Sequence, residues 1–133
     1  MKPGRIHHIE IYVSNLHKSA DFWGWFLGLL GYAPYQKWDG GQSWKLDDME
    51  YVVIAQTEKK FLGIPFHRKR VGLNHLAFCA ASRAQVDEVT NLLRERGHKI
   101  LYAEKHPFAG APDYYALFFE DPDRIKVELV APD

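Results

Sequence analysis

Residues 8–16 read HIEIYVSNL, and this stretch predicts the first strand and the start of the first helix. Apolar and polar side chains alternate along it, as in a strand with one face against a core. Asn15 then suits a helix N-cap, since its side chain can accept a backbone N–H of the first turn. Beyond it, bulky apolar residues recur at helical spacing until a glycine stop: Phe22, Trp23, Phe26, Leu27, Leu30 and Gly31. A strand over 5–13 and a helix over 16–30 are therefore expected.

The same plan returns in the second half of the chain. His75 lies seven residues before a second helix cap, Ser82, just as His8 lies seven residues before Asn15. Strand candidates follow the first helix at 32–38, 43–46 and 51–56; in the second half they are 73–80, 99–103, 114–119 and 125–130. Such an internal repeat predicts an α+β fold of two βαβββ modules, about 5–56 and 72–131, joined by a linker over 57–71. We expect curled mixed sheets that form a cup, with the helices on the outer faces.

Composition narrows the class of partner. The 133 residues contain 17 Lys plus Arg and 17 Asp plus Glu, for a net charge of +0, so no global field would attract nucleic acid or an anionic membrane. No apolar run is long enough to span a bilayer, and the N-terminus carries no signal segment. The single cysteine, Cys79, cannot form an internal disulfide, which fits a reducing cytoplasm. A small molecule or a second copy of the chain is the expected partner.

The linker is rich in basic residues, namely Lys59, Lys60, His67, Arg68, Lys69 and Arg70. One interpretation is a solvated connection, because runs of charge usually do nothing more. The other is a basic lip that attracts an anionic part of a substrate. The sequence leaves both open.

Strand parity singles out three side chains that could bind a metal. Alternate side chains of a strand share a face, so His8, His75 and Glu128 are expected to point away from the helices. Two imidazoles and one carboxylate suit nickel, cobalt, zinc, manganese or iron(II), and they leave coordination positions open for water or substrate. His7 has the parity of Ile9 and is expected on the helix-covered side.

The repeat also suggests which residue of the first module stands opposite Glu128. Asp48 and Ala55 are seven residues apart, as are Asp121 and Glu128. This spacing predicts that Ala55 and Glu128 occupy equivalent points of the two last strands.

Three segments resemble the vicinal oxygen chelate proteins, the glyoxalase/bleomycin resistance/extradiol dioxygenase family. Residues 8–16 resemble the family's opening, residues 72–78 (GLNHLAF) its second-module entry, and residues 120–129 (EDPDRIKVEL) its closing hairpin. Asn15 stands where many members have Asp, and Arg124 stands where they usually have Gly. The resemblance covers essentially the whole chain.

The resemblance implies one divalent metal that acts as a Lewis acid on substrates chelating it through adjacent oxygens. Glyoxalase I members generally add a glutamate ligand on the first module's last strand, where this chain has Ala55, so a four-ligand site is disfavoured. Phosphonate-antibiotic resistance is disfavoured by Glu10, Ala116 and Phe118, which replace the family's Thr, Ser and Tyr. Many two-module members are dimers.

Catalytic and substrate-binding candidates follow from the predicted cup. Glu10, two residues after His8, could accept a proton, although a water-bound or Lys126-paired carboxylate is equally consistent; Glu128 is the second catalytic candidate. The expected wall of the cup consists of Tyr12, Trp44, Val53, Ala55, Phe108, Tyr114, Phe118 and Lys126. Trp44 and Phe108 could instead pack at a subunit contact.

Three functions are compatible with these features. The first is a metal-dependent lyase or isomerase resembling glyoxalase I, acting on a small oxygen-rich or thiol-conjugated substrate. The second is a small extradiol dioxygenase, in which His106 and Tyr114 would support the metal site. The third is a non-catalytic protein like those that sequester bleomycin, which usually lack the metal triad. Trp25 and Leu29 add apolar surface to the first helix beyond its core stripe, and this predicts a homodimer.

Overall fold

The computed structural model describes residues 1–133 and divides into two compact units, Met1–Pro65 and Phe66–Asp133. The division falls inside the 57–71 segment, which contains a short 3-10 helix at Lys59–Phe61. None of the helices has both the length and the apolar character needed to cross a membrane.

The first unit has the predicted βαβββ order. Its elements are β1 (His8–Val13), α1 (Leu16–Leu29), β2 (Ala33–Trp38), β3 (Gly41–Lys45) and β4 (Tyr51–Gln56). The sheet order is β1-β4-β3-β2, with β1 parallel to β4 and the remaining pairs antiparallel.

Local chemistry explains both ends of α1. The Asn15 side chain accepts the Lys18 N–H at 3.1 Å, which is the predicted N-cap. Gly31 follows the helix at φ +91°, a left-handed conformation that costs glycine nothing. The buried side of α1 contains Phe22, Trp23, Phe26 and Leu27, which pack against the sheet.

The second unit contains β5 (His75–Cys79), α2 (Arg83–Glu95), β6 (Ala116–Glu120) and β7 (Lys126–Val130). Its sheet order is β5-β7-β6, with β5 parallel to β7. The Ser82 hydroxyl accepts the Gln85 N–H at 3.1 Å and caps α2. The buried stripe of α2 is formed by Val86, Val89 and Leu93.

The α+β class is confirmed, as two small mixed sheets with two helices, neither sheet closed. The strand predicted over 99–103 is wrong. Only Ile100 forms a bridge, to Phe119, and the Leu101 N–H donates to the Phe118 carbonyl before the chain turns. Tyr102 has φ +55°, so the backbone leaves the extended conformation there. The segment after Ile100 therefore folds back as a loop.

Candidate metal centre

The face of the second sheet opposite α2 contains the candidate ligands of this unit. In-register pairing places Ala77, Glu128 and Phe118 in one row across β5, β7 and β6. His75 and Lys126 form the neighbouring pair on the same face. Val127 and Leu129 point the other way and are fully buried. This confirms the predicted alternation, and we call the His75/Glu128 side the open face.

His75 and Glu128 meet directly on the open face. Nε2 of His75 lies 3.0 Å from Oε1 of Glu128. Only 3 % of Glu128 is exposed, whereas a third of the His75 side chain is. The pair thus has a buried anionic end and an end that solvent or a ligand can reach.

Both groups are held by a further contact. The Tyr114 hydroxyl donates to Oε2 of Glu128 at 2.5 Å, and Nδ1 of His75 lies 2.7 Å from Oδ1 of Asn74. The hydrogen bond to Glu128, with burial, raises the pKa of Tyr114 to about 12 from its ordinary 10.0. Tyr114 therefore remains a donor throughout the physiological range.

The donor set fits a divalent metal. A neutral imidazole carries a single N–H. With the Asn74 amide oriented so that Oδ1 faces Nδ1 of His75, that N–H is on Nδ1 and donates to the amide oxygen. Nε2 of His75 then presents a lone pair to Oε1 of Glu128, which is also an acceptor. Two acceptors at this distance need a shared cation, either a proton or a metal ion. An imidazole whose other nitrogen donates to a neighbouring oxygen is the usual form of a metal-binding histidine.

One glycine shapes the surroundings of Tyr114. A Cβ on Gly110 would lie 2.8 Å from Cδ1 of the Tyr114 ring, closer than real contacts allow. The loop after Ile100 also covers part of the open face, with Leu101, Ala116 and Phe118 forming a small buried cluster. The close approach of this loop therefore helps to hold Tyr114 against Glu128.

Lys126 is held among aromatic rings beside the His75/Glu128 pair. Its Nζ donates to the Tyr102 hydroxyl at 3.2 Å and lies 5.4 Å from the centroids of both Tyr102 and Phe118. The Phe118 ring also meets His75 edge to face, with centroids 6.2 Å apart. Phe118 and Lys126 thus lie on the open face, and their role in substrate binding stays a prediction. Tyr102 and Asn74 were not predicted as site residues. The signal for Asn74 was its position immediately before His75.

In the first unit, His8, Glu10 and Tyr12 share the exposed face of β1, opposite buried Ile11 and Val13. The His8 ring stacks on Tyr51, with centroids 4.7 Å apart and planes 5° from parallel. Its Nδ1 lies 2.9 Å from Nδ1 of His7, so this contact does not use Nε2 of His8.

The expectation for His7 is wrong, since the residue is exposed rather than covered by α1. It lies just before β1 begins, where strand alternation no longer constrains it.

The equivalence of Ala55 and Glu128 is also wrong. In the first unit β4 pairs Val53 with Glu10, two residues after His8; in the second, β7 pairs Glu128 with Ala77, two residues after His75. Val53 is therefore the counterpart of Glu128. The seven-residue spacing misled because the two aspartates are not equivalent: Asp121 follows β6 directly, whereas Asp48 lies three residues beyond β3.

Trp44 does not share the His8 face of its sheet, contrary to the prediction that it lines the cup. It is 3 % exposed and pairs with Val52, and a Cβ on Gly24 of α1 would lie 3.2 Å from its ring. Strand β3 starts at Gly41, two residues earlier than predicted. The Trp44 side chain therefore belongs to the core between α1 and the sheet.

Two further candidates lie on the α2 side of the second unit. The Phe108 ring packs edge to face on Tyr115, whose hydroxyl donates to Asp87 of α2. Burial and the charge of Arg94 of α2 lower the pKa of His106, and Asp87 opposes the shift. Phe108 is therefore not a wall residue of the open face, and His106 is not placed to support Glu128.

Neither unit by itself assembles three or more His, Cys, Asp or Glu side chains in an arrangement suited to a metal ion. The second unit contains the pair His75 and Glu128, and in the first unit His8 lies on an exposed face.

Comparison with known proteins places this geometry in a family. Residues 7–118 match the model of the glyoxalase/bleomycin resistance protein/dioxygenase superfamily. An uncharacterized protein of Bacillus subtilis, YqjT, is 59 % identical over 127 residues, covering 96 % of this chain and 98 % of its own.

Solved structures agree with this assignment. A candidate glyoxalase from Bacillus halodurans has a TM-score of 0.94 at 58 % identity, covering 97 % of this chain and 96 % of its own. A lactoylglutathione lyase from Agrobacterium tumefaciens shares the fold, with a TM-score of 0.68 at 19 % identity over 98 % of this chain and 96 % of its own. The chain belongs to the glyoxalase/bleomycin resistance protein/dioxygenase superfamily.

Proposed function

We propose that this protein is a divalent-metal-dependent lyase or isomerase of the glyoxalase type. Its substrate would be a small molecule, free or conjugated to a thiol, with adjacent oxygen atoms that chelate the metal. The observation that carries the proposal is the His75/Glu128 pair, oriented by Asn74 and Tyr114 and open on the histidine side. Each member of this pair is held by a second polar contact, as supported metal ligands usually are.

The proposed ligands are His75 and Glu128 together with His8, from the same chain or from a second copy. A bound divalent ion would act as a Lewis acid on a substrate oxygen. The metal is one of nickel, cobalt, zinc, manganese or iron(II), which all accept imidazole and carboxylate ligands.

Glu10 is the proposed proton-transfer group of this chain. It is exposed on the same face of β1 as His8, two residues away, so a substrate beside His8 could reach it. In an isomerisation, its carboxylate would remove a proton from one carbon and return it to the neighbouring carbon. Lys126, held by Tyr102 and Phe118, would orient an anionic oxygen of the substrate.

The test begins with metal binding. Metal-free protein is titrated with each candidate ion by calorimetry. His8→Ala, His75→Ala and Glu128→Ala should each weaken binding more than about 100-fold, beyond the 10–100-fold loss typical of supporting residues. His7→Ala should not, and His17→Ala is the control because its ring is exposed on α1 beside Asp21. Full occupancy in two of the three ligand variants would contradict the assignment.

The activity test uses hemithioacetals formed from 2-oxoaldehydes and small thiols. Glu10→Gln should lower kcat by about 10²–10⁴ while metal affinity is kept; Glu104→Gln, a change in an exposed turn, is the control. Ring cleavage of catechols by the iron form would favour the dioxygenase instead. Antibiotic binding without metal would favour the sequestering proteins.

A further inference from the structure

A second cluster of charged residues lies in the second unit, at the end of β6 and in the segment before β5. A cavity of about 290 Å³ is lined by Phe66, His67, Arg68, Lys69 and Arg124. Its volume is close to the lower end of the range of small-molecule pockets. None of these residues belongs to the proposed metal centre.

The charge of the cavity is positive. One carboxylate, Glu120, serves two of its three permanent cations: Oε2 accepts from Nη1 of Arg68 at 2.8 Å and from Nε of Arg124 at 3.2 Å. Lys69 adds a third positive charge, and the residues that line the cavity include no carboxylate. Arg68 is only about one-fifth exposed, which limits the screening of its charge by water.

The hydrogen bonds within the cluster leave donors for a ligand. Arg124 uses Nε toward Glu120, so the two Nη groups of its planar fork can hold an oxyanion. Nδ1 of His67 accepts the Lys69 N–H at 3.1 Å. The neutral imidazole therefore carries its proton on Nε2 and adds a further donor.

The backbone at Arg124 gives an independent reason to look for a role. It has φ +66° in the Asp121–Pro122–Asp123–Arg124 turn, a conformation that favours glycine. An arginine occupies this position despite the strain, and strained residues concentrate at functional sites.

We propose that this cavity binds a small molecule through a carboxylate or phosphate group. The Arg124 fork and His67 would bind the oxyanion, with Arg68 held beside them by Glu120 and the Arg124 carbonyl. The half-exposed Phe66 ring would pack against an apolar or aromatic part next to it. None of the lining residues is a proposed metal ligand, but Glu120 pairs with Lys126 across β6 and β7, so the cavity borders the open face. The proposal concerns the binding of this anionic group and stands whether or not the proposed reaction takes place.

The test uses metal-free full-length protein, so that phosphate cannot bind through a metal ion. Inorganic phosphate, benzoate and phenyl phosphate are titrated by calorimetry, and backbone amide shifts of residues 66–69 and 121–125 locate the site. Phenyl phosphate should bind at least about tenfold more tightly than inorganic phosphate, because only it contacts Phe66, and Phe66→Ala should remove the difference. Equal affinity of the two phosphates would point to inorganic phosphate as the ligand and overturn the small-molecule assignment.

Arg124→Gly is the decisive variant, because glycine suits φ +66° and the protein should fold at least as well. It should weaken phenyl phosphate binding about tenfold or more. Asp113→Gly, at φ +62°, makes the same backbone change without removing a cation, and Lys59→Ala removes a cation elsewhere. Both should bind like wild type. The proposal fails if wild type shows no binding at millimolar ligand, or if Arg124→Gly binds equally well.

Discussion

At the scale of single residues, Glu128 has the most demanding environment in the chain. Its carboxylate is nearly fully buried, and an uncompensated charge there would cost several kcal/mol. Each oxygen has a partner, Tyr114 on Oε2 and His75 on Oε1. Because only the hydroxyl is an unconditional donor, the His75 side depends on a proton or a metal ion.

Tyr114→Phe tests whether this support matters for metal binding. The variant removes the only hydroxyl donor to Glu128 and should weaken binding of zinc or nickel by about 10–100-fold. Tyr115→Phe is the matched control, because it removes a neighbouring hydroxyl that donates to Asp87 instead. Calorimetric titration of both variants decides the matter, and equal affinities would show that Tyr114 does not support a metal ligand.

The same hydrogen bond predicts a dependence on alkaline pH in metal-free protein. The pKa of Tyr114 is raised to about 12, so its stabilising effect is complete below pH 10 and lost as pH rises through about 12. Over that window, the free energy of unfolding of wild type should fall more steeply than that of Tyr114→Phe.

Tyrosinate absorbance provides the direct measurement. Tyr114→Phe should remove one tyrosine from the group that ionises near pH 12. The control is Tyr12→Phe, since the Tyr12 side chain is 65 % exposed, on the face of β1 that it shares with His8. Identical curves for Tyr114→Phe and wild type above pH 11 would contradict the assignment.

At the scale of secondary-structure elements, register decides which residues are equivalent. Parallel pairing of β1 with β4 and of β5 with β7 follows the same plan, and it makes Val53 the counterpart of Glu128. A glutamate introduced there would lie on the His8 face, diagonal to His8.

Val53→Glu should therefore tighten nickel or zinc binding relative to wild type. Val53 is 4 % exposed, so burying the new carboxylate should lower the melting temperature of the metal-free protein. Added metal should then raise the melting temperature more in this variant than in wild type. Ala55→Glu, one strand repeat further from His8, should gain less. Thermal unfolding with and without nickel separates the two, and a larger metal effect in Ala55→Glu would refute the register argument.

At the scale of the whole molecule, apolar surface remains on both units. Trp25 and Leu29 are not among the buried residues of α1, although Trp25 contacts Phe22. Tyr12 and Phe61 of the first unit and Val71 of the second are more than half exposed. Exposed apolar side chains become interface candidates where they adjoin one another, and the α1 residues Trp25 and Leu29 share one helix.

We expect a homodimer with two equivalent metal sites. Light scattering at micromolar protein should give twice the 15.4 kDa of the chain, and Trp25→Glu should shift the mass toward one chain. Lys18→Glu, a charge change at the start of the same helix, is the control and should leave the dimer intact. A stable monomer in wild type would refute the dimer, and a dimer that persists in Trp25→Glu would exclude this face of α1.

Local patterns in the sequence were sufficient to predict most of the elements. Asn15, Gly31 and Ser82 act through neighbours a few residues away, and the alternation in β1, β5 and β7 reflects one buried face per strand. The βαβββ order of the first unit and the open-face placement of His75 and Glu128 follow from these short-range rules, whereas the second unit lacks the strand predicted over 99–103. The triad itself is still a prediction.

Tertiary structure decided everything that depends on register and on loops. The counterpart of Glu128 is set by strand pairing, which a count from turn residues misplaced by two positions. Trp44 joined the core because β3 pairs it with Val52, on the face of the sheet that α1 covers, and the chain after Ile100 became a loop that covers Phe118. The contacts of Tyr114 and Lys126 join side chains that are distant in sequence. The contact of Asn74 with His75 depends on side-chain orientations that the sequence pattern does not encode. Neighbouring strand registers and loop paths satisfy the same local sequence preferences. Tertiary packing selects one of them, so only the folded chain could distinguish them.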